Sequence, residues 1–345
     1  MKVPVFADLQ KIEFVEKPKP EIRSGEVLVK VEYCGICGSD VHGYLNGIMV
    51  PPGTVMGHEC CGFVSEVGDG VKNFQAGDRV AVKPSPQCGE CYWCQRGQYS
   101  ICPKALERAI GISPNYDGAF AEYIRIQYPN EMLFKLPSEV SFKEAALIEP
   151  LATSLHAVRM ARFRPGDRVV IIGAGMIGLG TLQFVRLAGA SRIIVLEISS
   201  EKSHIARELG AHEVMNPLAE RDDLREKILD LTHGIGADVV FECAGVPMAF
   251  QTSIDYVKRG GQVIVVGIND KEVAINNFMM VICEVEMKGV LGYYDEFEYV
   301  IEFLHQSKIR TEPLISDIIR LTELEERGFK RLIASHDMVK ILVRP

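Results

Sequence analysis

From Val27 to about Lys135 the chain runs in short apolar stretches such as VLVKVEY and RVAVK, broken by glycine and proline at close intervals. That pattern predicts a barrel-like β-domain. The period changes from Leu147 onward, where the apolar strands RVVIIG, RIIVLE, DVVFECAG and QVIVVG alternate with helical stretches. Such alternation predicts βαβ units in a doubly wound parallel sheet, an α/β fold. The tail from about Tyr293 (EFEYVIEFLHQSKI, ELEERGFKRLI, MVKILVRP) mixes helical spacing with one last strand and contains no βαβ unit, so it is expected to pack back on the first domain. A chain of 345 residues also exceeds the size at which one hydrophobic core stops growing, which again points to two domains.

Charge and cysteine usage narrow the function. A formal charge of -8 and the lack of any Lys/Arg run provide no basic field for phosphates, so neither a nucleic acid nor an anionic membrane is expected as partner. The opening MKVPVFADLQ reaches Asp8 and Lys11 before an apolar stretch of signal-peptide length accumulates, so no export signal is read and a cytoplasmic location is expected. One long uncharged run, Val169 to Val185, is studded with glycines and carries Thr181 and Gln183. It reads as a buried strand turning into a helix rather than a membrane span. Ten cysteines in such a chain point to metal ligands rather than disulfides, because cytosolic thiols are kept reduced.

Cys88, Cys91, Cys94 and Cys102 stand in CGECYWCQRGQYSIC, a CxxCxxC run closed by a fourth cysteine. Four thiolates on one short loop can wrap a tetrahedral zinc ion, and a closed shell makes that zinc structural. Free buried cysteines or an iron centre are the other readings; zinc is the usual occupant of a closed thiolate site.

A second constellation is more dispersed. CGICGSDVH holds Cys37, Ser39, Asp40 and His42, and GHE follows with His58 and Glu59. Cys37 sits among glycines and His58 follows a Pro/Gly loop, positions where side chains face a cleft more readily than a core. A catalytic zinc needs about three protein ligands and an open position, so a third donor must be found. Glu149, in ALIEPLATSLHAV, and Glu59 are the candidates, and Glu149 is preferred because it falls where the β-domain gives way to the βαβ pattern. Glu149 also has a structural reading, as an acid in the first turn of a helix with Pro150 beside it.

Gly173, Gly175 and Gly178 form GxGxxG directly after the strand RVVII and open a helix, the context a dinucleotide fingerprint requires. The glycines allow a tight turn and let backbone N–H groups approach a pyrophosphate, which rests on the helix N-terminus. Glu197 ends the next strand, where an acid can bind ribose hydroxyls and repel a 2′-phosphate, so NAD is expected over NADP. Met176 and Ile177 between the glycines, Lys202 beyond Glu197, and Gly267 at the end of QVIVVG complete the candidate cofactor set.

With these residues in hand, the chain resembles the zinc-dependent medium-chain dehydrogenase/reductase family over essentially its whole length. The resemblance is carried by CGICGSDVH, GHE, GDRV at Gly77 to Val80, the four-cysteine loop, GAFAEY, IEPLATSLHAV and VVIIGAGMIGLG, in that order. Within the family it is to the sorbitol, butanediol and threonine dehydrogenase branch. The resemblance implies a GroES-like β-barrel catalytic domain (1–148, with 293–345 returning to it) and a Rossmann NAD-binding domain (149–292). It also implies a dimer or tetramer of identical chains. It matches Cys37, His58 and Glu149 or Glu59 to the catalytic-zinc positions, Ser39 and His42 to a proton relay, and Asp40 to a residue supporting the metal shell. His156, inside an apolar helical stretch, reads as a satisfied interior histidine.

One departure bears on substrate. Sorbitol and threonine dehydrogenases resemble each other in carrying an arginine near the segment that reads GVLGYYDEF here, where Gly292, Tyr293 and Tyr294 stand and no arginine does. The expected activity is oxidation of a secondary alcohol, a polyol or vicinal diol, to a ketone with NAD, using one catalytic and one structural zinc. Zinc would lower the alcohol's pKa, Ser39 would accept the proton, and His42 would release it, histidine being suited to exchange near neutral pH. A threonine dehydrogenase is the alternative within the branch. A zinc-free quinone reductase on the same fold is disfavoured by Cys37, His58 and the cysteine loop, and a non-enzymatic relative by the presence of a candidate for every chemical role.

Overall fold

The computed structural model describes residues 1–48, 50–113 and 115–345. The chain divides into two compact units, the first made of Met1–Glu149, Phe297–Ser307 and Ile315–Pro345, the second of Pro150–Glu296 and Lys308–Leu314. Along the chain the first unit begins with strands β1 (Lys2–Asp8), β2 (Lys11–Glu16), β3 (Val27–Gly35), β4 (Glu59–Val67), β5 (Arg79–Val82), β6 (Tyr123–Ile126) and β7 (Leu133–Lys135). The second unit holds β8 (Arg168–Ile172), β9 (Arg192–Leu196), β10 (Glu213–Met215), β11 (Ala237–Glu242), β12 (Val257–Val265) and β13 (Glu286–Gly289). The chain then returns to the first unit with β14 (Ile315–Arg320) and β15 (Lys340–Arg344).

In the first unit β1 and β2 form an antiparallel hairpin, and seven strands form a sheet ordered β14-β15-β3-β4-β5-β7, with β6 paired to β3. In β3 the run Val27, Leu28, Val29 and Val31 is buried while Lys30 points out, and Val27, Val29 and Val31 join Phe6, Phe120, Ile124, Phe329 and Ile341 in one apolar core. The antiparallel register of β3 against β4 pairs Gly35 with Glu59 and Cys34 with Cys60. Residues just past the end of β3 therefore meet residues at the start of β4. Helix α1 (Gly38–Asn46) leaves from this corner.

The second unit is a six-stranded sheet ordered β10-β9-β8-β11-β12-β13, with every pairing parallel. Its central strands are apolar on both faces, as a sheet covered on both sides requires: Val169, Val170, Ile171, Ile193, Ile194, Val239, Val240 and Phe241 are buried. Helices α2 (Ile148–Met160), α3 (Met176–Leu187) and α4 (Ser200–Glu208) follow in the alternation the sequence predicts. None of the described helices is long and apolar enough to cross a membrane.

The boundaries differ in detail from those read off the sequence. Residues 293–296 stay with the second unit because Glu296, which is buried, accepts the N–H of Tyr294 at 2.5 Å and a bond from Arg159 at 2.9 Å, and pairs with His156 Nδ1 at 2.9 Å. Residues 308–314 stay there as well, since the amide of Gln183 bonds the main chain of Arg310 in both directions, at 3.0 and 2.7 Å. The return to the first unit thus starts at Phe297 and is interrupted once.

Candidate active site and metal centres

The β3–β4 register assembles the first constellation. Cys37 lies two positions beyond the end of β3 and His58 one before the start of β4, so they reach the same corner, and the ligand atoms of Cys37, His58 and Glu59 lie within 4.8 Å of one another. A Cβ at Gly35 would stand 2.2 Å from Glu59 Oε2, so only glycine leaves room for that carboxylate. His58 and Glu59 are buried and Cys37 is half-buried.

Asp40, 2% exposed, organises this corner. Its Oδ2 accepts the backbone N–H of Cys37 at 2.9 Å, which fixes the start of α1, and its Oδ1 lies 3.6 Å from His58 Nδ1. Nδ1 is buried and has no hydrogen-bond partner. Burial alone would push His58 down, but Asp40 and Cys37 outweigh it and raise the imidazole well above the ordinary histidine range, so the surroundings favour positive charge at this spot. One soft thiol, one imidazole, one carboxylate and a carboxylate facing the other ring nitrogen match what a catalytic zinc requires.

The two candidate third donors stand differently. Glu59 is in the donor cluster, yet both of its oxygens also accept from Lys340 Nζ at 2.7 Å. Lys340 bonds the carbonyl of Ile36 at 2.8 Å too, and β15 carries it there by pairing with β3. Glu149 is half-buried in the first turn of α2, and its charge is felt by both Cys60 and Lys340, although it is outside the three-residue cluster. Sequence reading missed Lys340. The available signal was a lysine inside the apolar strand MVKILV, a residue type rarely buried without a partner.

Cys88, Cys91, Cys94 and Cys102 come together as the spacing predicts, with their sulfurs within 4.8 Å of one another. Backbone N–H groups of Cys91 and Cys94 each point at the preceding cysteine sulfur at 3.4 Å. Burial opposes ionisation of Cys88, but the backbone N–H groups of Glu90 and Cys91 and the neighbouring thiols bring it down to about 6. Burial and the neighbouring thiols push Cys94 the other way, up to about 12, so the cluster does not ionise uniformly. All ten cysteines are free of disulfides.

In the second unit the fingerprint forms the turn between β8 and α3. Gly173 has φ 94°, a left-handed conformation suited to glycine, and a Cβ on Gly178 would meet Gly173 O at 1.9 Å. Gly175 faces open space and no side chain caps the N-terminus of α3, so the first backbone N–H groups of that helix are left for an anion. Met176 and Gly178 are buried, while Ile177 and Lys202 are half-buried. Ser199, the N-cap of α4, accepts the N–H of Lys202 at 3.2 Å.

Glu197 stands where a ribose-binding acid is expected, but it is only 5% exposed. Its Oε2 accepts the N–H of Ala174 at 2.6 Å, and its Oε1 accepts those of Ile198 and Ser199 at 2.9 and 2.8 Å. A carboxylate offers about four acceptor positions, so one is left for a hydroxyl. Tyr293 is 6% exposed, and Tyr294 packs edge-on against His156 at 4.3 Å between ring centroids.

Comparisons with known proteins agree with this fold. The alcohol dehydrogenase GroES-like domain matches residues 23–138, and the zinc-binding dehydrogenase domain matches 177–306. The chain is 35% identical to sorbitol dehydrogenase of Bacillus subtilis (strain 168), over 100% of this chain and 97% of that one. Among solved structures, 2R,3R-butanediol dehydrogenase from Bacillus subtilis superposes with a TM-score of 0.90 at 36% identity, covering 100% of this chain and 99% of the other. A zinc-binding dehydrogenase from Sinorhizobium meliloti 1021 bound to NADP also gives 0.90, at 32% identity over 100% and 99% of the two chains. With a nicotinamide dinucleotide fingerprint in one unit and two zinc-type donor sets in the other, the chain belongs to the zinc-dependent medium-chain alcohol dehydrogenases, in the branch of the sorbitol and butanediol dehydrogenases.

Proposed function

We propose that the chain oxidises a neutral secondary alcohol with a neighbouring hydroxyl to a ketone, using NAD, and carries two zinc ions, one at Cys37, His58 and Glu59 and one at the four cysteines. The carrying observation is the donor set of Cys37, His58 and Glu59, with ligand atoms inside 4.8 Å of one another and Asp40 3.6 Å from Nδ1 of the histidine. Among the two carboxylates, Glu59 is favoured as third donor by its place in that cluster, with Lys340 balancing its charge.

When bound, zinc supplies a Lewis acid that lowers the alcohol's pKa, and the nicotinamide supplies the hydride acceptor. The residues of the chain do the positioning. Asp40 holds the backbone of Cys37 and faces His58, which orients both donors. Ser39 Oγ takes the alcohol proton, and His42, three residues on along the same face of α1, delivers it to solvent; both are half-buried. Glu197, sitting under the fingerprint turn, disfavours a 2′-phosphate and so favours NAD.

The missing arginine between Val290 and Tyr294 supports a small or cyclic neutral diol over an amino acid or a long polyol. A homo-oligomer is supported by the exposed Phe278 and Val281, which precede the edge strand β13. The test is a panel read at 340 nm with saturating NAD. A site that hydrogen-bonds a second hydroxyl rejects analogues lacking it by up to ~10⁴-fold. Thus 2,3-butanediol or a cyclic polyol should exceed 2-butanol and ethanol in kcat/KM, and ethanol or threonine as the best substrate would defeat the diol assignment.

A further inference from the structure

In the second unit the fingerprint strand β8 lies between β9 and β11, and a buried glutamate stands at the end of each neighbour. Glu197 follows β9 and was marked by the sequence pattern; Glu242 ends β11 and was not. Glu242 is 1% exposed. Its register partners on either side, Ile172 and Val265, are apolar, so a carboxylate there is costly unless its oxygens are occupied.

One of them is occupied by a turn. Oε1 accepts the N–H groups of Ala244 at 2.9 Å and Gly245 at 2.8 Å. The main-chain carbonyl of the same residue accepts the N–H groups of Val266 at 2.9 Å and Gly267 at 3.0 Å. A Cβ at Gly267 would stand 2.6 Å from Glu242 Oε2 and 2.3 Å from Gly245 N, so Gly267 is pressed against this carboxylate and this turn. Glu242 therefore knits the turn after β11 to the turn after β12.

In a doubly wound sheet the dinucleotide lies across the C-terminal ends of the strands, with its adenosine ribose at the acid after the second strand of the fold. Here that acid is Glu197, so the other half of the molecule extends from β8 toward β11 and β12. We propose that Glu242 is a positioning residue that holds the 243–245 and 266–267 turns as the support for the nicotinamide-ribose half of the cofactor. This rests on the reading that Gly173, Gly175 and Gly178 bind a nicotinamide dinucleotide.

The test is calorimetric titration of the full chain with NADH and, separately, with ADP, which carries the adenosine and diphosphate alone. Wild-type protein binds both. Glu242→Ala weakens NADH binding by about tenfold, as loss of hydrogen bonds to a charged acceptor implies, and leaves ADP within about twofold. Glu242→Gln recovers most of the NADH affinity, because its amide oxygen accepts the same two N–H groups. Gly267→Ala, which keeps the carboxylate but displaces it, reproduces the selective loss and serves if Glu242→Ala does not fold. Unchanged NADH binding in Glu242→Ala and Gly267→Ala, or equal loss of NADH and ADP, overturns the assignment. Wild-type protein that binds neither nucleotide overturns the cofactor reading beneath it, a result distinct from the other two.

Discussion

Lys340 Nζ stands 2.7 Å from both carboxylate oxygens of Glu59, and the two side chains, 281 positions apart in sequence, are almost wholly buried. Such a pair stabilises little relative to an apolar substitute, but breaking it strands a charge in the core. Lys340→Met is expected to cost about 3–5 kcal/mol. Glu59→Gln combined with Lys340→Met should recover much of that. Urea unfolding in the presence of a chelator, so that no zinc stands in for the lysine, measures both, and equal losses in single and double variants would show that the pair is not coupled.

The two donor sets should separate by function. Cys102→Ser is expected to lower stability, because metal binding by the cysteine loop is linked to folding. Cys37→Ser should leave the melting temperature near that of the parent while abolishing turnover. Native mass spectrometry should count two zinc ions in the parent and one in each variant, and two retained in either variant would contradict its ligand assignment.

Asp238 gives the clearest acid dependence. Burial would raise its carboxyl, but Arg168 at 2.9 Å and Lys258 at 2.6 Å outweigh burial and hold it at about 2, below its ordinary value of 3.8. The folded state therefore binds fewer protons here than the unfolded state. The stabilisation is complete above about pH 5 and is lost as pH falls through 4 toward 2. Asp238→Asn should cost about 1–2 kcal/mol at pH 7, the full shift being discounted for solvent screening, and almost nothing at pH 2. Unfolding curves at the two pH values test this, and an equal cost at both would remove the ion pairs as the cause.

Glu197 should set cofactor choice. The parent protein is expected to prefer NAD over NADP by at least ~10-fold, equivalent to 1.4 kcal/mol. Glu197→Ala should narrow that gap, chiefly by weakening NAD, since the N–H groups of Ala174, Ile198 and Ser199 lose their acceptor as well. Dissociation constants for both cofactors in both proteins decide the matter; equal affinities in the parent would exclude the mechanism.

What the sequence revealed and what it concealed follow from how far each signal reaches. The βαβ alternation, the GxGxxG turn and the four-cysteine loop are local: each is complete within a few dozen residues and carries its own spacing. The corner holding Cys37 and His58 was legible as a pair of short motifs, and the β3–β4 register accounts for their meeting. Lys340 and Glu242 were not legible, because each is one charged residue in an apolar strand whose meaning depends on which strand pairs beside it. The stay of 293–296 in the second unit was hidden for the same reason, since it depends on Glu296 meeting His156 and Arg159 across more than a hundred residues.

The pairing of β15 with β3 also says something about the order in which the first unit can form. Cys37 and His58 are brought together by neighbouring strands, whereas the countercharge for Glu59 arrives only with a strand near the other end of the sequence. Contacts of such separation close late, because the entropy of the intervening loop must be lost before they reward it. Until then the chain carries a half-built zinc corner with an unbalanced carboxylate at its centre. If zinc binds there as proposed, its early capture at that corner would offset the charge in the meantime, and the metal would then take part in folding as well.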